Sequence, residues 1–167
     1  MDIDSRTDLI ADLGHLCLGS RLKRLGERMQ AGVSRHLTER GCAVQPAQLP
    51  VLWALGVEGP LTIGALGERL GISQPGISRA VAGLDAMGMV TIGRQARDGR
   101  LRTVAITETG RALMADLSAD LFPAVRGAVA AICDATGADV LAVIARIEAQ
   151  MDRQPLEDRI EQAKGRR

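Results

Sequence analysis

Between Asp8 and Arg40 the chain has no proline, and apolar residues return every three or four positions, at Leu9, Leu13, Leu16 and then Leu18, Leu22, Leu25, Met29, Val33 and Leu37. This period predicts one long helix. At 1.5 Å per residue it would stretch roughly 50 Å. A domain of this size cannot cover so long an apolar stripe, so part of it is expected to pack on another subunit. Gly14, Gly19, Gly26 and Gly32 interrupt the helical propensity of the stretch. Gly41 is the expected stop, and Pro46 suits the first turn of a second helix reaching Leu55.

Gly59-Pro60 marks the next turn, after which the hydroxyl of Thr62 can cap a short helix ending at Leu70. Gly71 stops it. Ser73 is placed to cap another helix, with Pro75 tolerated in its first turn, Ile77, Val81 and Leu84 forming its buried stripe, and Gly88 closing it. Two short helices joined by a tight turn containing Gly71 match a helix-turn-helix. A hairpin signature follows: Met89-Val90-Thr91-Ile92, a charged turn from Arg94 to Arg100 with Asp98-Gly99 at its tip, then Thr103-Val104-Ala105-Ile106. Thr107 is the expected cap of a helix running through Leu113, Leu117 and Leu121 with a kink at Pro123. Residues Ala138 to Met151 supply a last helix, and the charged tail from Arg153 is expected to fray.

The net formal charge is only +1, so the distribution matters more than the sum. Residues 60–107 hold Arg69, Arg79, Arg94, Arg97, Arg100 and Arg102 against Glu68, Asp85 and Asp98, which makes the middle the basic part. Trp53 and Phe122 are the sole aromatics, which counts against modules that stack single-stranded bases. Any nucleic acid bound is expected to be duplex.

In order and spacing, Pro60-Leu61-Thr62, Leu66, Leu70-Gly71-Ile72-Ser73, Ile77-Ser78-Arg79, Leu84, Gly88-Met89-Val90, Asp98-x-Arg100 and Ile106-Thr107-Glu108-x-Gly110-Arg111 resemble the MarR family of winged helix-turn-helix transcription regulators. Upstream, Pro46-Ala47-Gln48 followed by Val51-Leu52 is similar to the start of the family's second helix. The resemblance implies a mainly α fold with a small β-hairpin wing (α+β), carried on a helical dimerisation platform. The expected organisation is a dimerisation region of residues 1–45 and 108–153, a DNA-binding lobe of residues 46–107 and a polar tail of residues 154–167. It implies a homodimer that presents two lobes to palindromic double-stranded DNA, acts as a repressor, and is released by a small-molecule effector. Ser73 to Arg79 match the start of the family's recognition helix, and Asp98 and Arg100 match its wing pair. Ala82-Gly83 stands where an acidic-basic pair is common, and Gly99 where a wing arginine is frequent. Readout is therefore expected from the helix start and the wing.

The residues support this independently. With Ile77, Val81 and Leu84 inward, Gln74, Gly76, Ser78 and Arg79 can project outward near the N-terminus of the recognition helix, where base edges are met. Gln74 can pair with adenine. Arg79 can pair with guanine or neutralise a phosphate, and Ser78 suits a phosphate or shape role. Thr62, Ser73 and Pro75 complete the expected DNA-binding set on the helices. Arg94, Arg97 and Arg100 suit a narrow, electronegative minor groove, and Asp98 is expected to orient an arginine of the wing. The competing reading of each arginine is a solvated charged surface.

Many MarR relatives hold an effector between the dimerisation helices and the DNA lobe. His15 and Trp53 are the candidates for such a pocket here, Trp53 otherwise being expected in the core. His15 and Cys17 point to different helix faces and make no metal pair. Cys17, Cys42 and Cys133 form no CxxC pair, and reduced thiols of a cytoplasmic protein fit best, with a redox-sensing Cys17 as an alternative. The sequence has no GxSxG, GxGxxG, Walker or HExxH motif, so neither an enzyme nor a cofactor is expected. No apolar run reaches the ~18 residues of a membrane span, and the polar N-terminus does not read as a secretory signal. A winged helix used only for protein contact is the remaining alternative.

Overall fold

The computed structural model describes residues 8–95 and 98–165, with the backbone alone given for 94–95 and 98–101. The chain divides after Leu117 into two compact units. The first begins with a short helix, α1 (Leu9–Asp12), a 3-10 turn (Gly14–Cys17) and the long α2 (Leu18–Glu39). The single helix expected over 8–40 is therefore broken. Gly14 takes a left-handed φ of +54°, which costs glycine no Cβ clash, and the chain turns there.

The break lets the N-terminal segment fold back. The Asp8 carboxylate accepts hydrogen bonds from Arg24 Nη1 at 3.0 Å and Nη2 at 2.5 Å, and caps α1 by accepting from Ala11 N at 3.3 Å. In a continuous helix these two residues would lie roughly 24 Å apart. Hydrogen bonding from Arg24 holds the Asp8 carboxyl down at about 2, below its ordinary 3.8. Because the folded value is the lower one, the clamp contributes fully above 3.8 and is lost as pH falls through about 2. An NMR titration of the Asp8 carboxyl is expected to show that depressed midpoint; an ordinary value would mean that the clamp does not form.

A 3-10 turn (Pro46–Gln48) leads into α3 (Leu49–Glu58), which ends three residues beyond the expected Leu55. Leu61–Thr62 form β1, a strand with no signature of its own, which is created by antiparallel pairing with Val104 and Thr103. Helices α4 (Ile63–Leu70) and α5 (Gln74–Ala86) follow, then β2 (Val90–Gln95) and β3 (Asp98–Ile106), giving an antiparallel sheet of order β1-β3-β2. Asp98-Gly99 is not the hairpin tip. Asp98 already pairs with Gln95 as the first residue of β3, and a register irregularity follows Arg94.

The core of this unit is apolar: Leu37, Val44, Val51, Leu52, Leu55, Leu66, Ile77, Val81, Leu84, Val90, Val104 and Leu117 are all buried. Trp53 does not join them and is 52% exposed. At 100° per residue, position 53 lies about 200° from both Val51 and Leu55, so burying those two turns it outward, on the same face as exposed Val57.

Helix α6 (Glu108–Ala119) starts at Thr107, whose hydroxyl accepts from Gly110 N at 3.1 Å, as expected of a cap. The helix expected to kink at Pro123 instead ends before it. A new helix, α7 (Leu121–Asp134), begins just ahead of the proline, whose missing N–H costs little in a first turn.

In the second unit α7 is followed by α8 (Val140–Arg153) and α9 (Leu156–Gly165). Asp139 caps α8 by accepting from Ala142 N at 2.9 Å. The tail expected to fray is helical because Arg159 donates to the Gln150 carbonyl at 2.8 Å and the Gln154 carbonyl at 3.0 Å, tying α9 to the last turn of α8.

Candidate nucleic-acid interface

Helices α4 and α5 meet through a turn built on Gly71, which adopts φ +63° and lets Ile72 N donate to the Gly67 carbonyl at 3.1 Å. A residue with a Cβ is strained at that φ. A Cβ at Gly67 would stand 3.0 Å from the Ile72 carbonyl oxygen, so the turn also needs a small residue one turn earlier. The pair is thereby held at a close approach.

On α5 the side chains of Ile77, Val81 and Leu84 are buried, while Gln74, Pro75, Ser78, Arg79 and Ala82 are exposed. The outward placement of Gln74, Ser78 and Arg79 follows the sequence expectation. Their side chains have no hydrogen-bond or ion-pair partner among the described residues, which leaves their donors free for a ligand.

Of three other predicted site residues, Thr62 and Gly76 help shape the motif. Thr62 is half-buried, and its hydroxyl accepts from Ala65 N at 3.1 Å, the expected cap of α4. Ser73 occupies the N-cap position of α5 but makes no side-chain capping bond, against expectation; its hydroxyl is exposed. Gly76 is a packing glycine, since a Cβ there would lie 2.9 Å from Ile72 Cγ2 and 3.4 Å from Ser73 Oγ.

The wing joins α5 and α6 at Thr107, whose hydroxyl donates toward the Gly88 carbonyl at 2.7 Å and lies 3.1 Å from that of Met89, while Thr107 N donates to Met89 O at 3.0 Å. Of the predicted wing residues, Arg97 lies outside the described residues, and for Arg94, Asp98 and Arg100 the backbone alone is described. Arg94 sits in β2, and Asp98 and Arg100 in β3. Arg102, passed over as a site residue, is exposed and pairs in strand register with Arg94. The signal for Arg102 was its place in the central arginine run.

For Gln48, noted in sequence only as part of the start of the second helix, the structure adds a contact. Its Oε1 accepts from Gln45 N at 2.8 Å and its Nε2 donates to the Ala80 carbonyl of α5 at 3.4 Å. No local pattern marks such a bond across 32 positions.

The candidate effector residues are both exposed, His15 on the 3-10 turn and Trp53 on α3. A groove of about 570 Å³ lies in the second unit, lined by residues of α7, α8 and their connection, and neither His15 nor Trp53 contributes to it. Cys17, Cys42 and Cys133 are half-buried free thiols. Among the described residues no group of His, Cys, Asp and Glu is placed to hold a metal, and no helix is long and apolar enough to cross a membrane.

The MarR family profile matches residues 44–101. An HTH-type transcriptional regulator of Mycobacterium bovis is 37% identical over 84 residues, covering 49% of this chain and 59% of that protein, so the match spans little more than half of the relative. Among solved structures, a MarR/EmrR family transcriptional regulator from Acinetobacter sp. ADP1 superposes with a TM-score of 0.67 at 14% identity, over 81% of this chain and 95% of that one. The transcriptional regulator BldR of Sulfolobus solfataricus superposes at 0.62 and 22% identity, over 83% and 94%. Fold and motif therefore agree: residues 44–101, which carry the helix-turn-helix and the wing strands, are similar to the MarR family of transcriptional regulators.

Proposed function

We propose that the chain is a cytoplasmic, sequence-specific regulator of transcription that binds duplex DNA as a homodimer. The observation that carries this reading is the helix-turn-helix itself, with α5 anchored by three buried aliphatics and presenting Gln74, Ser78 and Arg79 uncommitted on its outer face. Recognition helices of this type use such a face in the major groove. The basic strands of the wing, Arg94 and Arg100 to Arg102, add charge suited to phosphate or a narrow minor groove.

Residues 46–107 form the DNA lobe in this proposal, and residues 1–45 with 108–153 form the dimerisation region. Its support is the apolar surface left open: Leu9, Leu13, Leu16, Leu22 and Leu25 on the N-terminal helices, and Leu141, Ile144, Ile147 and Met151 on α8. A single copy leaves this surface in water, which monomeric proteins rarely do on this scale. Occupation of an operator by such a dimer would repress, and a small-molecule effector would relieve it.

Selection from random duplex DNA is expected to return a palindrome with half-sites ~34–36 Å apart, the repeat that a two-fold dimer must match. Sedimentation should show a dimer at micromolar concentration. A folded monomer, or footprints on a single half-site, would overturn the dimeric reading; no sequence enrichment would overturn DNA recognition.

A further inference from the structure

Gly83 lies within the last turn of α5, and glycine is a poor helix former. Its backbone is ordinary helix, so no left-handed φ calls for glycine. What calls for it is Gln48. A Cβ built on Gly83 would stand 2.5 Å from Gln48 Nε2 and 3.8 Å from its Cδ. The missing side chain is therefore the space that the Gln48 amide occupies. From there the amide reaches the Ala80 carbonyl at 3.4 Å, while its oxygen accepts from Gln45 N at 2.8 Å. Ala80 directly follows Arg79, the exposed arginine of the reading face.

We infer that Gln48 is a positioning residue for DNA reading. It ties the junction before α3 to the turn of α5 that carries Ser78 and Arg79, with Gly83 as the opening that admits it. This rests on the proposed DNA recognition and adds to it the element that sets the height and rotation of the recognition helix. Gln48 touches no DNA in this role. Its amide is suited to it because one planar group supplies both an acceptor for Gln45 and a donor for Ala80.

The inference separates from a merely structural role through three variants of the full chain. Gln48→Glu keeps the acceptor for Gln45 N and removes the donor to Ala80. Gly83→Ala leaves Gln48 intact but takes its space, and the far end of that flexible side chain is what must move. Alanine is also the better helix former, so this variant should melt no lower than wild type. Each single variant is expected to lower the preference for the selected duplex over single-base-altered duplexes by about tenfold, within the range of one well-placed base contact. The salt slope should stay unchanged, since no phosphate contact is removed. Gln48→Glu combined with Gly83→Ala should lose no more than either alone, because both break the same bond. Wild-type preference in both single variants, or losses that add in the double variant, would overturn the inference while leaving DNA recognition standing. A wild-type chain that selects no sequence would overturn both.

Discussion

Gly110→Ala is expected to destabilise the protein by about 2–3 kcal/mol, as overpacking of a filled interior does. Gly110 is buried in the first turn of α6, against Met89 just before β2 and Ile106 at the end of β3. A Cβ there would collide with the Met89 carbonyl oxygen and stand 2.8 Å from Ile106 Cγ1 and 3.3 Å from the Met89 carbonyl carbon. Intrinsic propensity argues the other way, since alanine is favoured over glycine inside a helix by ~1 kcal/mol. Packing should win. The Met89 carbonyl that obstructs most closely belongs to backbone already held by the Thr107 N–H, so it cannot move aside cheaply. The denaturant midpoint should fall at unchanged slope. A midpoint equal to or above wild type would show that α6 is not seated against Met89 in this way.

Arg79→Ala and Arg100→Ala are expected to weaken DNA binding in different ways. Arg79 is exposed on α5 one residue before the carbonyl that Gln48 holds, on a helix whose inner face is fully buried. Its loss should cost ~1–3 kcal/mol on the selected site and relax preference at one base position, as for a bidentate base contact. Arg100 lies in β3 of the wing. Its loss should weaken all sequences alike and lower the salt slope by about 0.9, as for one phosphate neutralised. Asp98→Ala should act as a milder Arg100→Ala if the carboxylate orients an arginine. Binding of each variant to the selected duplex and its single-base variants, over a salt series, separates these outcomes. Wild-type affinity and slope in Arg100→Ala would remove the wing from the mechanism, and tighter binding by Asp98→Ala would show that the carboxylate only repels DNA.

Local chemistry was legible wherever a residue's role is settled within a few positions of chain. Thr62 and Thr107 cap the helices they precede, Gly71 makes the tight turn, and the Ile77, Val81 and Leu84 stripe is buried, because capping, positive φ and helical period are short-range properties. From that ordered set came the helix-turn-helix, the wing and the resemblance to the MarR family.

Tertiary structure decided what depends on partners distant in sequence. The apolar period from Asp8 to Arg40 reads as one helix, yet the chain breaks at Gly14 because Arg24 offers Asp8 a bidentate partner once the segment folds back. Thr62 and Leu61 become a strand only beside Thr103 and Val104. Trp53 looks like core by composition, but the faces claimed by Val51 and Leu55 leave it outside. Gly83 reads as a weak spot in a helix until Gln48 is seen in the space it leaves. Sequence alone thus determined the caps, the tight turn and the buried stripe of the helix-turn-helix, since capping, φ and helical period act over a few residues. How the reading helix is held was decided by packing, because a hydrogen bond across 32 residues leaves no periodic trace.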